Sequence, residues 1–220
     1  GISSNYDTLI ERRAWDYGSE FRGSLDGDEA TVDSTHRGPL LKFHGCENRD
    51  RSSTVWAQSQ LSDPTIAERI EKSKTWMRAN LRQRDLLVVG FWSDWDYLNA
   101  LLGTALIDVQ PLSVTVVDLS PTNILEEKAP DLWNIAHADN VIFEHIQESG
   151  AEVLDELRRA FSTNYLRQVL AAGKDAFEAA TNVPCEPDWL SIKEFDSETL
   201  YAWRRDAEGV CSAEPAKRPR

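Results

Sequence analysis

Two apolar runs, LLVVG at residues 86–90 and VTVVD at residues 114–118, limit the folds open to this chain. Each run is continuous, which is typical of a strand in a parallel sheet buried on both faces. The residues between them form an apolar stripe with helical spacing: Leu98, Leu101, Leu102 and Ala105. A third run, VIF at residues 141–143, follows a second helical stretch. This alternation predicts an α/β fold, a Rossmann-like parallel sheet with helices on both faces and right-handed connections.

Capping signals predict where the helices begin and end. Asp63 stands directly before a proline, a pair typical of a first helical turn. Ser93 and Asp96 have the spacing of a capping box. A further helix is expected to start at Ser120 and to be interrupted at Pro130.

The chain before these elements is less regular. Residues 18–37 are polar and predict a long surface loop, residues 40–45 predict a short strand, and residues 54–56 a possible edge strand.

The last third of the chain carries helical patterns only. One helix is expected over about residues 151–161, and from Tyr165 onward the apolar spacing stays helical. We therefore predict an α/β domain over residues 1–160, a helical extension over 161–210 and a flexible tail over 211–220.

Composition excludes several classes of function. The 220 residues carry a formal charge of -13, which disfavours binding to nucleic acid or an anionic membrane surface. No apolar run approaches the roughly 20 residues that span a bilayer. The three cysteines, Cys46, Cys185 and Cys211, form no CxxC pair, and their odd number predicts a reducing, cytoplasmic location.

Polar residues follow the predicted strands at their carboxyl ends. In open parallel sheets these ends bind ligands, because the loops there vary freely and helix N-termini present unpaired N–H groups. Four such clusters occur: Asn5 with Asp7, His44 with Gly45, Gly90 with Ser93, and Asp118. Their coincidence at one edge predicts a nucleotide site.

Each cluster also has a structural interpretation. Asn5 and Asp7 are residue types that commonly cap a following helix. His44 before a glycine is well placed as a general base, since its reference pKa is about 6.5, but structural histidines also occur at such positions. Gly90 suits either close approach of a phosphate or a plain strand-to-helix turn. Asp118 suits either ribose hydroxyls or a helix cap.

Other catalytic patterns are absent from the sequence. His36, His137 and His145 have no ligand spacing to a second histidine or cysteine. No Ser-His-Asp elbow, GxxxxGK[ST] loop or HExxH helix occurs, so the usual Ser-His-Asp hydrolase, P-loop and zincin functions lack their residues.

In their order, the four clusters resemble the motifs of the sirtuin-like (silent information regulator type) superfamily of NAD-dependent deacylases and NAD-cleaving enzymes. SSNYD at residues 3–7 is similar to the family's Thr-Gln-Asn-Ile-Asp motif, and LKFHG at residues 41–45 to its His-Gly strand. LVVGFWSD at residues 87–94 is similar to the later strand that ends in Gly and Ser. Asp118 stands where the family offers Asn or an acidic group to the adenosine ribose.

The resemblance, which covers about residues 1–160, implies NAD as the substrate and roles for the matching residues. His44 would be the catalytic base, Asn5 would orient water or the ribose, and Asp7 would hold the nicotinamide carboxamide. The residues implied to contact the rest of NAD are Gly45, Gly90, Ser93 and Asp118. Cys46 stands alone where histone-type sirtuins carry a four-cysteine zinc module, so no zinc is expected. This favours the zinc-less branch, whose NAD cleavage often serves bacterial antiphage defence, over protein deacylation.

The resemblance also implies that the domain is incomplete at its N-terminus. In the family a Gly-Ala-Gly phosphate loop, its central strand and a small helical module precede the Asn-x-Asp motif, which here begins at Asn5. We therefore expect the central first strand of the sheet to be missing. A truncated gene, a partial sequence or a half supplied by another chain would each account for it.

Three hypotheses follow. In the first, the chain is an enzyme that cleaves NAD when its missing N-terminal part is supplied. Alternatively, it is a non-catalytic NAD- or ADP-ribose-binding or interaction module that meets a second copy or a partner chain through its C-terminal helices. The third hypothesis, a nucleotide-binding domain unrelated to sirtuins, predicts that Asn5, His44 and Gly90 do not converge.

Overall fold

The computed structural model describes residues 1–16, 22–34, 38–185 and 196–212, with the backbone alone for residues 209–212. In chain order its elements are α1 (Leu9–Asp16), α2 (Gly27–Asp33), a 3-10 helix (Gln58–Ser62), α3 (Pro64–Leu81), β1 (Asp85–Val89), α4 (Asp96–Leu106), β2 (Ser113–Val117), α5 (Thr122–Lys128), α6 (Pro130–Ala136), β3 (Ile142–Ile146), α7 (Gly150–Thr181) and α8 (Ser197–Ser212).

The three strands form one parallel sheet in the order β1-β2-β3. Asp85 of β1 pairs with Ser113 of β2, which pairs with Ile142 of β3, and the register continues residue for residue along the strands. The predicted α/β fold, a parallel sheet flanked by helices and followed by a helical C-terminal part, is confirmed.

Burial along β1 alternates. Leu86 and Val88 pack against the cluster formed by residues of β2, α5 and α6. Leu87 and Val89 are 47% and 45% exposed. The continuous apolar run therefore places one set of side chains in the core and leaves the other set half exposed.

The start of α3 is as the sequence predicts. The Asp63 carboxylate accepts hydrogen bonds from the N–H groups of Thr65 and Ile66, at 2.9 and 3.2 Å. The helix buries an apolar face that includes Ile66, Ile70 and Met77. The break at Pro130 is also confirmed, because α5 ends at Lys128 and α6 begins at the proline.

Two predicted caps are wrong. The helix after β1 begins with Trp95 as its N-cap and no side-chain cap, and the hydroxyl of Ser93 accepts a hydrogen bond from the Trp95 N–H instead. The N-cap of α5 is Pro121, while the hydroxyl of Ser120 accepts from the indole N–H of Trp92 at 3.2 Å. In both loops the serine hydroxyl binds a tryptophan N–H, of the backbone in one case and of the indole ring in the other, and so does not cap the helix.

A second set of parallel pairings lies outside the three-stranded sheet. Leu41 forms parallel bridges with Ile2 on one side and with Ser24 on the other. The strand predicted over residues 40–45 is reduced to this one position, because residues 43–44 form a turn. Residues 54–56 form no strand, so the possible edge strand there is wrong.

The predicted loop over residues 18–37 contains a helix. Asp26 caps α2 by accepting from the N–H of Glu29 at 2.9 Å. Residues 17–21 and 35–37, which include His36, lie outside the described residues.

The described chain divides into two compact units, Gly1–Gln147 and Glu148–Arg220. In the second unit, α7 is one helix of 32 residues where the sequence predicts two patterns. Its packing against α8 includes a hydrogen bond from the Ser197 hydroxyl to Asp155 at 2.5 Å. The domain boundary predicted at residue 160 falls within α7 and stays a prediction. Among the described helices, none is both long and apolar enough to cross a membrane.

Candidate functional site

A cleft of about 460 Å³ opens beside β1. Its lining includes residues 1–5 and residues 85–90, and therefore both Asn5 and Gly90. The cleft is also lined by apolar residues of α3, α4 and α6 and by Phe43, Phe91 and Val114. Two of the predicted site residues therefore share one cleft at the carboxyl ends of their segments.

Asn5 and Asp7 have different environments. Asn5 is exposed, and its N–H donates to the Ser3 hydroxyl at 3.1 Å. The Asp7 carboxylate accepts from the N–H of Leu9 at 3.0 Å, at the start of α1. One carboxylate oxygen of Asp7 thus fulfils the capping role that the sequence left open.

His44 is almost fully buried, with 1% of its surface exposed. Its Nε2 atom is buried and has no hydrogen-bond partner among the described residues. Burial, with a smaller effect from the positive charge of Arg69, lowers the pKa of His44 to about 4. The imidazole is therefore neutral near pH 7, and its Nε2 makes no hydrogen bond with the described residues.

Besides Phe43, its neighbour in sequence, two aromatic rings lie beside His44. The ring centroid of Tyr97 is 6.1 Å from that of His44 and the centroid of Trp95 is 6.3 Å away. The Tyr97 hydroxyl is also buried without a hydrogen-bond partner in the described structure, and burial raises its pKa. On this side the surroundings of His44 are thus mainly aromatic.

Arg69 supplies the positive charge near His44. Its Nη1 donates to the Ser53 hydroxyl at 2.6 Å and lies 3.8 Å from a carboxylate oxygen of Asp50. Its Nε and Nη2 atoms are buried and unpaired within the described ranges. Burial lowers the pKa of Arg69, while the Asp50 carboxylate opposes this effect.

Gly45 occupies a position that no other residue fits well. Its φ is +102°, and a Cβ built on it would lie 2.7 Å from the Cα of Thr54. The adjoining backbone is fixed by a hydrogen bond from the Val55 N–H to the His44 carbonyl at 2.9 Å. This close approach sets the backbone conformation next to His44.

Gly90 differs from Gly45. Its φ is +75°, but a Cβ at this position would meet no atom within 4 Å. Its N–H donates to the carbonyl of Val117 at 2.9 Å. The positive φ alone explains the glycine, and the open space beside it leaves the backbone accessible from the cleft.

The loop after Gly90 is held by Asn99 of α4. The Asn99 amide accepts from the Ser93 N–H and donates to the Ser93 carbonyl, both at 2.9 Å. Asn99 is only 5% exposed. This role could not be predicted from the sequence, since an asparagine in this helix is equally compatible with solvent exposure.

Asp118 joins two strand ends. One of its carboxylate oxygens accepts from the Phe91 N–H at 3.0 Å and the other from the Ser120 N–H at 2.8 Å. Burial opposes ionisation of Asp118, but these hydrogen bonds outweigh it, so its pKa lies below the usual value. Each oxygen can accept a further hydrogen bond. The bonds already present give this carboxylate a structural role, because they hold the backbone that follows β1 and β2.

Lys42 is a buried residue that the sequence interpretation missed. It is 1% exposed, and its Nζ donates to the Glu11 carboxylate at 2.9 Å and to the Asp7 carbonyl. The Sγ of Cys46 lies 3.8 Å from the same nitrogen. The position of this lysine inside the apolar run LLKF could have indicated the ion pair, because a lysine that is buried with its neighbours requires a partner.

Contacts connect most of the predicted site residues at one edge. The segment after Asn5 meets the segment after His44 through a hydrogen bond from the Glu47 N–H to the Tyr6 carbonyl at 2.9 Å. The rings of Trp95 and Tyr97 connect His44 to the loop that follows Gly90, and Asp118 binds the start of that same loop. The described lining of the cleft includes Asn5 and Gly90 but not His44.

Metal ligands are not grouped in the part of the chain that the structure describes. No set of three or more His, Cys, Asp or Glu residues there is arranged to hold an ion.

Comparison with known proteins identifies the family. No curated protein and no solved structure matches the chain. A family model described as the SIR2-like domain matches residues 2–137. This region is more than half of the 220 residues and contains the carboxyl-end contacts described above. The chain therefore belongs to the SIR2-like domain family.

Proposed function

We propose that the domain binds NAD and breaks the bond between nicotinamide and ribose, with His44 as the base. The observation that carries this proposal is the buried, neutral imidazole of His44, whose Nε2 has no partner among the described residues. Membership of the SIR2-like family implies NAD involvement. A neutral ring nitrogen can accept a proton or a hydrogen bond from a ribose hydroxyl.

The proposed reaction is hydrolysis. The bond from ribose C1′ to nicotinamide breaks, water adds at C1′, and the products are nicotinamide, ADP-ribose and a proton. His44 accepts the proton of a ribose hydroxyl as positive charge develops on the sugar, which stabilises the oxocarbenium-like transition state. Asn5 orients the water or the ribose, and the second carboxylate oxygen of Asp7 accepts from the carboxamide.

The low pKa of His44 places a requirement on this mechanism. A base with a pKa of about 4 is weak near pH 7. The pyrophosphate of NAD carries negative charge, and a nearby negative charge raises the pKa of an imidazole. We therefore expect NAD to bring His44 closer to its working range when it binds.

The remaining residues supply binding. We propose that the exposed backbone at Gly90 approaches the ADP-ribose part of NAD together with Gly45, and that Ser93 and Asp118 use their residual acceptor capacity there. The proposed setting is the cytoplasm, in line with the odd number of cysteines. Loss of cellular NAD would be the route to antiphage defence.

The test is nicotinamide release from NAD by the chain and by His44→Gln. Because His44 is buried, circular dichroism first checks that the variant is folded, and titration with ADP-ribose checks that it still binds. We expect the variant to bind ADP-ribose and to release nicotinamide at least about 100-fold more slowly. Equal release by both proteins would contradict the role of His44.

A second candidate is a binding or interaction module without turnover. It is favoured by Ser93 and Asp118, whose polar groups already hold the strand-end loops. It is also favoured by Leu154, Leu157 and Phe161 of α7, which are 45–55% exposed and could meet a second copy or a partner chain. ADP-ribose binding without nicotinamide release would support this candidate.

A further inference from the structure

One edge of the Arg69 guanidinium has no hydrogen-bond partner among the described residues. Arg69 lies in α3 and is 7% exposed, and its Nη1 donates to the Ser53 hydroxyl at 2.6 Å. Its Nε and Nη2 atoms are buried and unpaired. A guanidinium holds its N–H groups in a rigid planar fork, in which the Nε and Nη2 groups point side by side along one edge. The unpaired atoms therefore form one complete edge of the fork.

The nearby carboxylates do not fill this edge. Asp50 lies 3.8 Å from Nη1, and its carboxylate also accepts from the Ser53 hydroxyl. Asp26 raises the pKa of Arg69 through its charge, but its carboxylate caps α2 by accepting from the Glu29 N–H at 2.9 Å. Both groups offset the positive charge from a distance. The two N–H groups of the free edge still lack an acceptor anywhere in the described chain.

Unpaired polar atoms from two other parts of the chain lie in the same region. His44 follows the Leu41 pairing, and the charge of Arg69 acts on its imidazole, whose Nε2 is buried without a partner in the structure described. The Tyr97 hydroxyl of α4, also buried and unpaired there, belongs to a ring whose centroid lies 6.1 Å from that of His44. Such atoms are rare in folded proteins, because each costs the desolvation of a polar group. A cluster of them around one imidazole points to a ligand that supplies the missing partners.

The chemistry of the free edge selects the ligand. Two parallel N–H groups match two oxygens of one carboxylate or one phosphate, and an incompletely paired buried cation favours an anion. Both oxygens of a carboxylate would be used at Arg69, whereas a phosphate or diphosphate has further oxygens for the Tyr97 hydroxyl. Membership of the SIR2-like family implies NAD, whose negative charges are all on phosphate groups. These observations favour a phosphate.

We propose that the free edge of Arg69 binds a phosphate group of a ligand beside His44. Oxygens of the phosphate accept from Nε and Nη2, and the Tyr97 hydroxyl donates to a further oxygen. The phosphate belongs either to the diphosphate of a dinucleotide such as NAD or to free phosphate, and the chemistry at Arg69 is the same for both. Binding at Arg69 does not itself require the cleavage of NAD, so it can be tested apart from the proposed function.

A phosphate at this position would also act on His44. Its negative charge offsets that of Arg69, which is the smaller of the two causes that keep the imidazole neutral. This consequence rests on the proposed function, in which His44 is the base. A ligand with a phosphate then prepares the base, whereas a nucleoside without one does not. We therefore expect a preference for phosphorylated substrates.

Because the free edge is buried, binding requires a local movement. Among the described residues, the rings in contact with that of His44 are those of Phe43, Trp95 and Tyr97. Trp95 is 42% exposed and is the most exposed of the three. It stacks on Tyr97 with the centroids 5.9 Å apart, at a helix start that has no side-chain cap. We expect the ligand to enter past Trp95.

The experiment uses the full chain and three probes: ADP-ribose, inorganic phosphate, and nicotinamide riboside, which has no phosphate. Isothermal titration calorimetry measures each dissociation constant for the wild type and for Arg69→Lys, which keeps the positive charge but lacks the edge of two nitrogens. Lys72→Gln, which changes a more exposed cation of the same helix, is the control. We expect Arg69→Lys to weaken the binding of ADP-ribose or phosphate by at least about tenfold, and Lys72→Gln to change it by less than about twofold. Arg69→Lys should not alter the affinity for nicotinamide riboside.

The two phosphate probes identify the source of the phosphate. If inorganic phosphate binds in a manner that depends on Arg69, the site accepts the free ion, and if only ADP-ribose does so, the ligand is the diphosphate of a nucleotide. Failure of the proposed function gives a different result. Binding that depends on Arg69, without release of nicotinamide from NAD, would leave the phosphate site in place. Release of nicotinamide by a chain whose affinity for ADP-ribose does not depend on Arg69 would remove the phosphate site alone.

A measurement on the wild type decides the question if Arg69→Lys does not fold, which circular dichroism checks. NMR of the isotope-labelled chain follows the Nε–H resonance of Arg69, which we expect to shift when ADP-ribose or phosphate is added. Three outcomes would overturn the proposal: no saturable binding of either phosphate probe, equal affinities in the wild type and a folded Arg69→Lys, or an Arg69 Nε–H resonance that stays in place at saturation. Equal affinities would mean that Arg69 has only a structural role, with Ser53 and Asp50 as its partners.

Discussion

The ring of His44 lies nearly parallel to the ring of Tyr97, at 23°, with the centroids 6.1 Å apart. His44 follows the Leu41 pairing, whereas Tyr97 belongs to the first turn of α4, after β1. This contact therefore connects the two sets of parallel pairings at their carboxyl ends. It also contributes to the apolar surroundings that keep His44 neutral.

Stability is expected to depend on the protonation of His44. Its pKa in the folded chain, about 4, is below the ordinary 6.5, so its contribution is fully present above pH 6.5 and is lost as the pH falls toward 4. Urea unfolding at pH 7 and pH 4.5 should show a loss about 2–3 kcal/mol larger in the wild type than in His44→Gln. His44→Gln controls for the effect that titration of all other acidic and basic groups has on stability. The same loss in both proteins would refute the buried neutral state.

The charge of Arg69 should be visible in the titration of His44. We expect Arg69→Gln to raise the pKa of His44 while leaving it below 6.5, because burial, the larger cause of the shift, remains. NMR titration of the imidazole resonances measures this directly. Lys72→Gln, which changes an exposed cation on the same helix, should leave the pKa where it is. An unchanged value in Arg69→Gln would show that the two charges do not interact.

The two glycines with positive φ should differ in their tolerance of alanine. Gly45→Ala is expected to cost about 3 kcal/mol or more, because it combines unfavourable backbone geometry with a clash against Thr54. Gly90→Ala has the backbone cost alone, about 1 kcal/mol, since the space beside it is open. Denaturant unfolding of both variants gives the comparison. Equal losses would mean that the chain near Thr54 moves aside.

Lys42 should be far more important to stability than an exposed lysine. Lys42→Met leaves the Glu11 carboxylate, 11% exposed, without its partner and is expected to cost about 3–5 kcal/mol. Adding Glu11→Leu should recover part of that loss, because it removes the isolated charge. Lys72→Met, in a pair whose lysine is 39% and whose glutamate is 69% exposed, should cost much less. Equal effects of Lys42→Met and Lys72→Met on urea unfolding would contradict the buried pair.

The pattern of apolar residues along the sequence was sufficient to predict the sheet and the main helices beside it. The runs at residues 86–90 and 114–118 correspond to β1 and β2, and Asp63 begins α3 as its residue type suggests. These features depend on side chains close together in sequence, so a local pattern contains the information.

Features that depend on distant partners could not be predicted in the same way. Lys42 meets Glu11 across 31 positions, and Arg69 meets Ser53 across 16. The expected capping box at Ser93 fails because Asn99 binds the backbone of Ser93. In each case a polar side chain has several possible partners in sequence, and only the packed chain selects one.

The parallel arrangement of the strands also bears on how the chain folds. Asp85 and Ser113, at the start of the β1-β2 register, are 28 residues apart, and Gly1 and Leu41 are further apart still. None of these strand pairs can form as a local hairpin, so each requires the closure of a long loop before any pairing is gained. We infer that helices such as α3 form early, that the sheet assembles late, and that the rate of folding is set by these closures.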